Sequence, residues 1–192
     1  MPPDLQLLHV PTADEARYHR DRGFCPVECS FGHDSVVDDL VMDHHGSLSH
    51  LEPVSLRAYR DFSGHRQSDP RFVVTGAADA DATFAIAALA GLLPSPGTPD
   101  FSCVMELAAT IARADMNPFA ERWEESPEGV LLLSYKQQMQ KCPHDAASFR
   151  KGVELWQTLA TEPPADMLAD VQVKERERVR QAAATLPAAT RS

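Results

Sequence analysis

The sequence predicts an α/β fold: a short parallel sheet with flanking helices, followed by a C-terminal helical region. Three observations carry this expectation. Short apolar runs of strand length, Leu5–Val10, Leu40–Met42 and Phe72–Thr75, are bounded by turn residues and separated by helical patterns. The stretch from Ala82 to Leu93 is apolar on every side, as a helix buried against a sheet must be. Beyond the proline-rich linker Pro94–Pro99 only helical periodicity remains.

Taken in order, Leu5–Val10 reads as the first strand. Thr12 followed three residues later by Glu15 has capping-box spacing, which predicts a helix from Ala13 to about Arg20, ended by Arg22-Gly23. Phe24 to Val36 reads as irregular and delivers the chain to a central strand at Leu40–Met42. A helix is expected from Pro53 to about Phe62, a polar turn-rich segment to Pro70, and the next strand at Phe72–Thr75. Helices follow at Ala82–Leu93, at Phe101–Ala114, and at Val130–Lys141 behind a Ser126-Pro127-Glu128 cap. Two more are expected at Asp145–Leu159 and Ala165–Leu186, the last with alternating charges. Trp123, Tyr135, Phe149, Leu155 and Trp156 are the expected core, or an interface between protomers, of that region.

At 192 residues the chain is long enough for one good core. Its net charge of −10 argues against extended nucleic-acid binding, which needs a basic stripe. A small phosphorylated substrate stays possible, because a bound divalent ion reverses the local field. No apolar run is long enough to span a bilayer, and Met1-Pro2-Pro3-Asp4 reads as a cytosolic beginning rather than a signal peptide. Four cysteines in a chain of this size do not make a disulfide scaffold, so a reducing, cytoplasmic compartment is expected.

Two apolar runs stop abruptly at side chains that bind metals. Leu40-Val41-Met42 ends at Asp43-His44-His45-Gly46, and Phe72-Val73-Val74-Thr75 leads to Asp79-Ala80-Asp81. In an open parallel sheet, reactive groups collect beyond the carboxyl ends of the strands, which would place both on one rim. Carboxylates mixed with imidazole suit Mn²⁺, Fe²⁺ or Zn²⁺. The plainer reading makes the first stretch a polar loop and gives Asp81 the work of capping the helix that follows. That reading leaves one aspartate unexplained. Adjacent histidines after a strand end point to opposite faces, so only one of them is expected to reach a metal.

Strand-Asp-His-His-Gly together with strand-x-x-Asp-x-Asp-Ala-helix resembles the DHH phosphoesterase superfamily. More closely, it resembles DHH-like bacterial proteins in which the Asp-His-His motif precedes the Asp-x-Asp motif. The resemblance covers roughly residues 35–120. It implies a hydrolase, usually with two Mn²⁺ ions, that cleaves a small phosphorylated substrate with a metal-activated water. It further implies Asp43, His44, Asp79, Asp81 and Asp115 as metal ligands and His45 as the residue that assists charge on the leaving oxygens. Two positions depart from the pattern. Ala77 and Met116 stand where histidines are expected, and His50 or His33 are the candidates to replace them. The alternatives are a DHH-like module without turnover, or metal chemistry on a non-phosphate bond such as an amide. The resulting division is an α/β metal-binding domain over 1–120 and a helical cap or dimerisation region over 121–192, packed on the same domain; a homodimer is compatible with it.

Three further patterns have both a functional and a plainer reading. Cys25-x-x-x-Cys29-x-x-x-His33 has spacing that zinc tolerates, against two ordinary buried cysteines. Cys142-Pro143-His144 resembles a nucleophile–base pair, but sequence neighbours seldom align for proton transfer. Arg57, Arg60 and Arg66 could clamp a phosphate or be surface charges.

Overall fold

The computed structural model describes residues 5–62, 70–119, 122–162, 169–170, 173–174, 177–178 and 180–181. The sheet has three parallel strands, β1 (Gln6–His9), β2 (Cys25–Val27) and β5 (Arg71–Val74), with β5 in the middle. Leu7 pairs with Phe72 on one side, and Cys25 pairs with Phe72 on the other. Between β2 and β5 lie the two-residue strands β3 (Ser30–Phe31) and β4 (Asp34–Ser35), paired antiparallel, then helix α2 (Val54–Phe62). Helix α1 (Ala13–Arg20) connects β1 to β2, and α3 (Ala80–Leu89) follows β5. Helices α4 (Phe101–Met116), α5 (Pro127–Met139) and α6 (Ala146–Thr161) complete the described chain.

Both faces of the sheet are covered, and the side chains sort between them with the two-residue period of a strand. Val73 packs on one face with Val10, Ala16 of α1 and Cys29. Phe72, Val74, Cys25 and Val27 face the other way, into a core shared with α2 to α6. That core runs from Leu5 to Leu159 and includes Trp123, Tyr135, Phe149 and Trp156, so the later helices and the sheet bury the same apolar surface. Every residue of α3 is buried. Its small alanines let neighbouring helices approach closely, and Trp156 stacks on Tyr135 beneath it at 4.4 Å between ring centroids.

The structure corrects three expectations. Leu40–Met42 is not a strand. Local hydrogen bonds take the N–H groups that a ladder needs: Leu40 donates to the Asp38 carboxylate (2.9 Å), Val41 to the Asp38 carbonyl (3.1 Å) and Asp43 to the Val41 carbonyl (2.9 Å). The central strand is β5 instead. The supposedly irregular stretch Phe24–Val36 contains β2, β3 and β4, because Cys25-Pro26-Val27 is buried on all sides and needs no alternation to sit in the sheet. Finally, Asp79 rather than Asp81 caps α3, accepting from the Ala82 N–H at 2.8 Å. The polar segment around His65 and Arg66, and most of the expected Ala165–Leu186 helix, lie outside the described residues.

Candidate metal centre

Four chain segments meet at the carboxyl end of the sheet. β2 runs directly into Glu28. The Asp43-His44-His45 segment lies alongside, joined by a hydrogen bond from the Glu28 N–H to the Met42 carbonyl (2.8 Å). The start of α3 supplies Asp79 and Asp81, and the last turn of α4 supplies Asp115. Both Glu28 (φ 51°) and Val41 (φ 52°) sit in the left-handed region, uncommon for any non-glycine residue and an outlier for a β-branched one. Such strain, on the order of 1–3 kcal/mol per residue, persists where surrounding structure fixes it, often at a functional site.

Arg57 of α2 braces the Val41 side of it. Its guanidinium donates to the carbonyls of Val41 (2.9 Å), Asp43 (2.9 Å) and Glu52 (2.8 Å). Its donors face backbone, so Arg57 tethers the loop that carries the histidines. Arg60 is engaged by Glu52 and Asp61.

The centre of the cluster is the His44 ring nitrogen Nε2. Glu28 Oε1 lies 3.1 Å from it, Asp115 Oδ2 3.2 Å and Asp81 Oδ2 3.5 Å. His44, Glu28 and Asp81 are buried, and only Asp115 reaches solvent. Despite these short distances, neither His44 Nε2 nor Glu28 Oε1 makes a hydrogen bond of acceptable geometry. The oxygens surround the nitrogen instead of lying along one N–H direction. Ligand atoms around a tetrahedral ion, each about 2.0–2.2 Å from it, are about 3.4 Å apart, and the distances from His44 Nε2 to the oxygens of Asp115 and Asp81, 3.2 and 3.5 Å, are of that size. Buried polar atoms without partners, in two donor groups that share His44 (with Asp81 and Asp115 on one side, Glu28 and His45 on the other), fit a divalent cation.

Without an ion the surrounding carboxylates favour the charged form of the imidazole. Burial opposes charge on His44, but Asp115, Asp81 and Glu28 outweigh it and push the imidazole up to about 12. Burial raises the Glu28 carboxyl to about 8, with His44 pulling it back. Asp79 is exposed as a residue, yet the dense protein around its carboxyl, then the charge of Asp81, push it up to about 7. Asp115 sits at the negative end of the α4 dipole, where a carboxylate needs a cationic neighbour.

Of the five ligands expected from sequence, the structure brings His44, Asp81 and Asp115 together, within 4.8 Å of one another through one ligand atom each. Asp43 stands behind them. It is fully buried, accepts from Ser30 Oγ (2.7 Å) and from the His45 N–H (2.9 Å), and lies 3.1 Å from His45 Nδ1. Asp79 is committed to the cap of α3. The two histidines do not diverge, because the segment is not a strand: their rings are 4.6 Å apart, and His45 joins Glu28 and His44 in a second group of donors. Half of the His45 side chain is exposed.

Sequence reasoning does not find Glu28, because Phe24–Val36 reads as irregular. Its signal was a lone acid in the apolar run Val27-Glu28-Cys29, all three of them buried. His50 and His33 belong to neither group of donors. Met116 is largely exposed and lines a cavity of about 630 Å³ between α4 and the segment entering α2, while Ala77 lines a separate one of about 150 Å³ beside His144. The cysteine pattern does not converge either. Cys25 and Cys29 pack into different cores, and Cys29 Sγ donates to the Val73 carbonyl at 3.1 Å.

No family model, curated protein or solved structure matches this chain. Among the described residues no helix is long and apolar enough to cross a membrane.

Proposed function

We propose that the chain is a metal-dependent hydrolase related to the DHH phosphoesterases, acting on a small phosphorylated substrate. The observation that carries this reading is the unpartnered His44 Nε2 enclosed by carboxylate oxygens of Glu28, Asp81 and Asp115 at 3.1–3.5 Å. His44, Asp81 and Asp115 would hold the ion, with Glu28 and His45 forming an adjoining group of donors that shares His44, and with Mn²⁺ favoured and Fe²⁺ or Zn²⁺ acceptable to the same donors. When bound, a divalent ion supplies a Lewis acid and lowers the pKa of water at neutral pH.

The chain's own residues supply the rest. A carboxylate can only accept, so Asp43 holds the hydrogen on His45 Nδ1 and turns the ring in one tautomer. His45 then presents Nε2 outward to exchange a proton with the leaving oxygen. Arg57 keeps the two histidines at a fixed distance from Glu28, and Asp81 ties α2 and α3 to the floor of the site. The substrate class comes by analogy with the family rather than from the geometry. A reducing, cytoplasmic setting is the compartment that suits the four free cysteines.

A second reading, a DHH-like module without turnover, is favoured by one observation: Asp43, Asp79 and Asp81 each already satisfy backbone or hydroxyl donors. Metal content of protein purified without chelator, wild type beside Asp115→Ala, decides between them. Stoichiometric Mn, Fe or Zn that is lost in the variant supports the hydrolase and justifies a phosphatase and phosphodiesterase screen. No metal in the wild type, even after incubation with Mn²⁺, leaves the module as the better account.

A further inference from the structure

We propose that Lys136, on α5, receives the anionic group of the substrate, so that the C-terminal helical region completes the site as well as covering it. The proposal rests on the reading of the His44 cluster as a metal centre. A cavity of about 250 Å³ opens beside that cluster, lined by Asp79, Asp81, Asp115, Ile111, Leu132 and Lys136 among others. Two of these, Asp81 and Asp115, are in the donor group of His44. Lys136 is the cavity's one cationic lining residue.

Its ammonium is uncommitted. Arg57 and Arg60 are occupied by carbonyls and carboxylates, whereas no hydrogen bond or ion pair within 4.0 Å holds Lys136 among the described residues. Burial pulls the lysine below its ordinary value, while Asp115 and Asp79 push back and favour the charged form. Lys136 is exposed, and its helix is anchored below it. Leu132, one turn earlier on the same face of α5, lines the same cavity, and the Tyr135 hydroxyl donates to the Ala78 carbonyl at 2.8 Å. A divalent ion in the cluster offsets two carboxylate charges and leaves Lys136 as the cation facing the open space. The volume falls below the roughly 300–1,000 Å³ of pockets for drug-sized ligands, which suits the compact anionic end of a phosphomonoester better than a polymer.

The test uses Mn²⁺-loaded full-length protein, wild type, Lys136→Gln and Lys136→Arg, titrated calorimetrically with inorganic phosphate, with metal content and thermal unfolding recorded for each. Phosphate affinity should fall at least about tenfold in Lys136→Gln, as for loss of a charge-assisted hydrogen bond, and be largely kept in Lys136→Arg. Metal content and unfolding temperature should not change. Equal phosphate affinity in wild type and Lys136→Gln overturns the assignment, as does metal-loaded wild type that binds no phosphate. Loss of metal in Lys136→Gln also overturns it, by placing the lysine in service of the ion. A wild type that takes up no metal overturns the metal-centre reading, and this assignment with it.

Discussion

The Asp81 carboxylate, in the first turn of α3, caps a different helix: it accepts from the Ser55 N–H (3.0 Å), the Ser55 hydroxyl and the Val54 N–H (2.9 Å) at the start of α2. One side chain therefore both holds two helices together and faces His44. Removing it should leave buried N–H groups without acceptors. Asp81→Ala is expected to destabilise the fold by about 1–3 kcal/mol in urea unfolding. Asp115→Ala removes a partly exposed carboxylate that accepts from no backbone N–H, and in metal-free protein it should cost less stability than Asp81→Ala while losing metal. Equal stability of the two variants would contradict this division of labour.

Arg57 should behave as a structural residue with consequences at the site. Arg57→Ala takes two carbonyl anchors from the strained loop, and a third at Glu52, and is expected to cost about 1.5–3 kcal/mol. Metal affinity should fall about 10–100-fold, as when residues supporting metal ligands are lost. Arg57→Lys should rescue little, since one ammonium cannot span the three acceptors. Full metal affinity in Arg57→Ala would show that the loop holds its shape unaided.

The metal-free protein should lose stability as pH rises from about 5 to 8. Glu28 is raised from 4.5 to about 8 and His44 from 6.5 to about 12, so in that range the folded state binds more protons than the unfolded one. The His44 contribution is complete below its unfolded value and drains away as pH climbs toward its folded one. The Glu28 penalty grows from its unfolded value and is complete above its folded one. Both slopes have the same sign. The unfolding temperature of chelator-treated protein should be lower at pH 8 than at pH 5, with Mn²⁺ reversing the loss. Glu28→Gln should flatten the slope and weaken metal uptake. A rise in the unfolding temperature between the two pH values without metal would refute the assignment of these shifts.

Thiol chemistry should divide the cysteines. Burial raises Cys25 far above its usual value and Cys29 to about 12, while Cys103 is exposed and Cys142 half-buried. An aromatic disulfide reagent at pH 8 should label Cys103 and Cys142 in the native state, and all four only in denaturant. The sign with pH is again set by a raised value: the buried Cys29 thiol stabilises fully below about 9 and loses its contribution as pH rises toward 12. Rapid native labelling of Cys29 would mean that its side of the sheet opens readily.

The sequence by itself determined what local chemistry can determine. The Thr12 and Ser126 caps, the all-buried α3 and the strand at Phe72–Val74 follow from side chains acting on their own few neighbours. Asp43-His44-His45 and Asp79-Ala80-Asp81 were legible as a candidate site because charged, metal-competent residues stood at the ends of apolar runs. Only the tertiary structure decided which of them converge. Asp43 and Asp79 turn to backbone and hydroxyl donors, and Glu28 swings in from the end of β2 to stand 3.1 Å from His44. Lys136 arrives from a helix more than fifty residues further along the chain than Asp81. The physical reason is that a ligand sphere or a cavity is a set of distances between remote segments, fixed by how the core packs and by which hydrogen bonds the backbone takes first. A pattern of residue types contains neither.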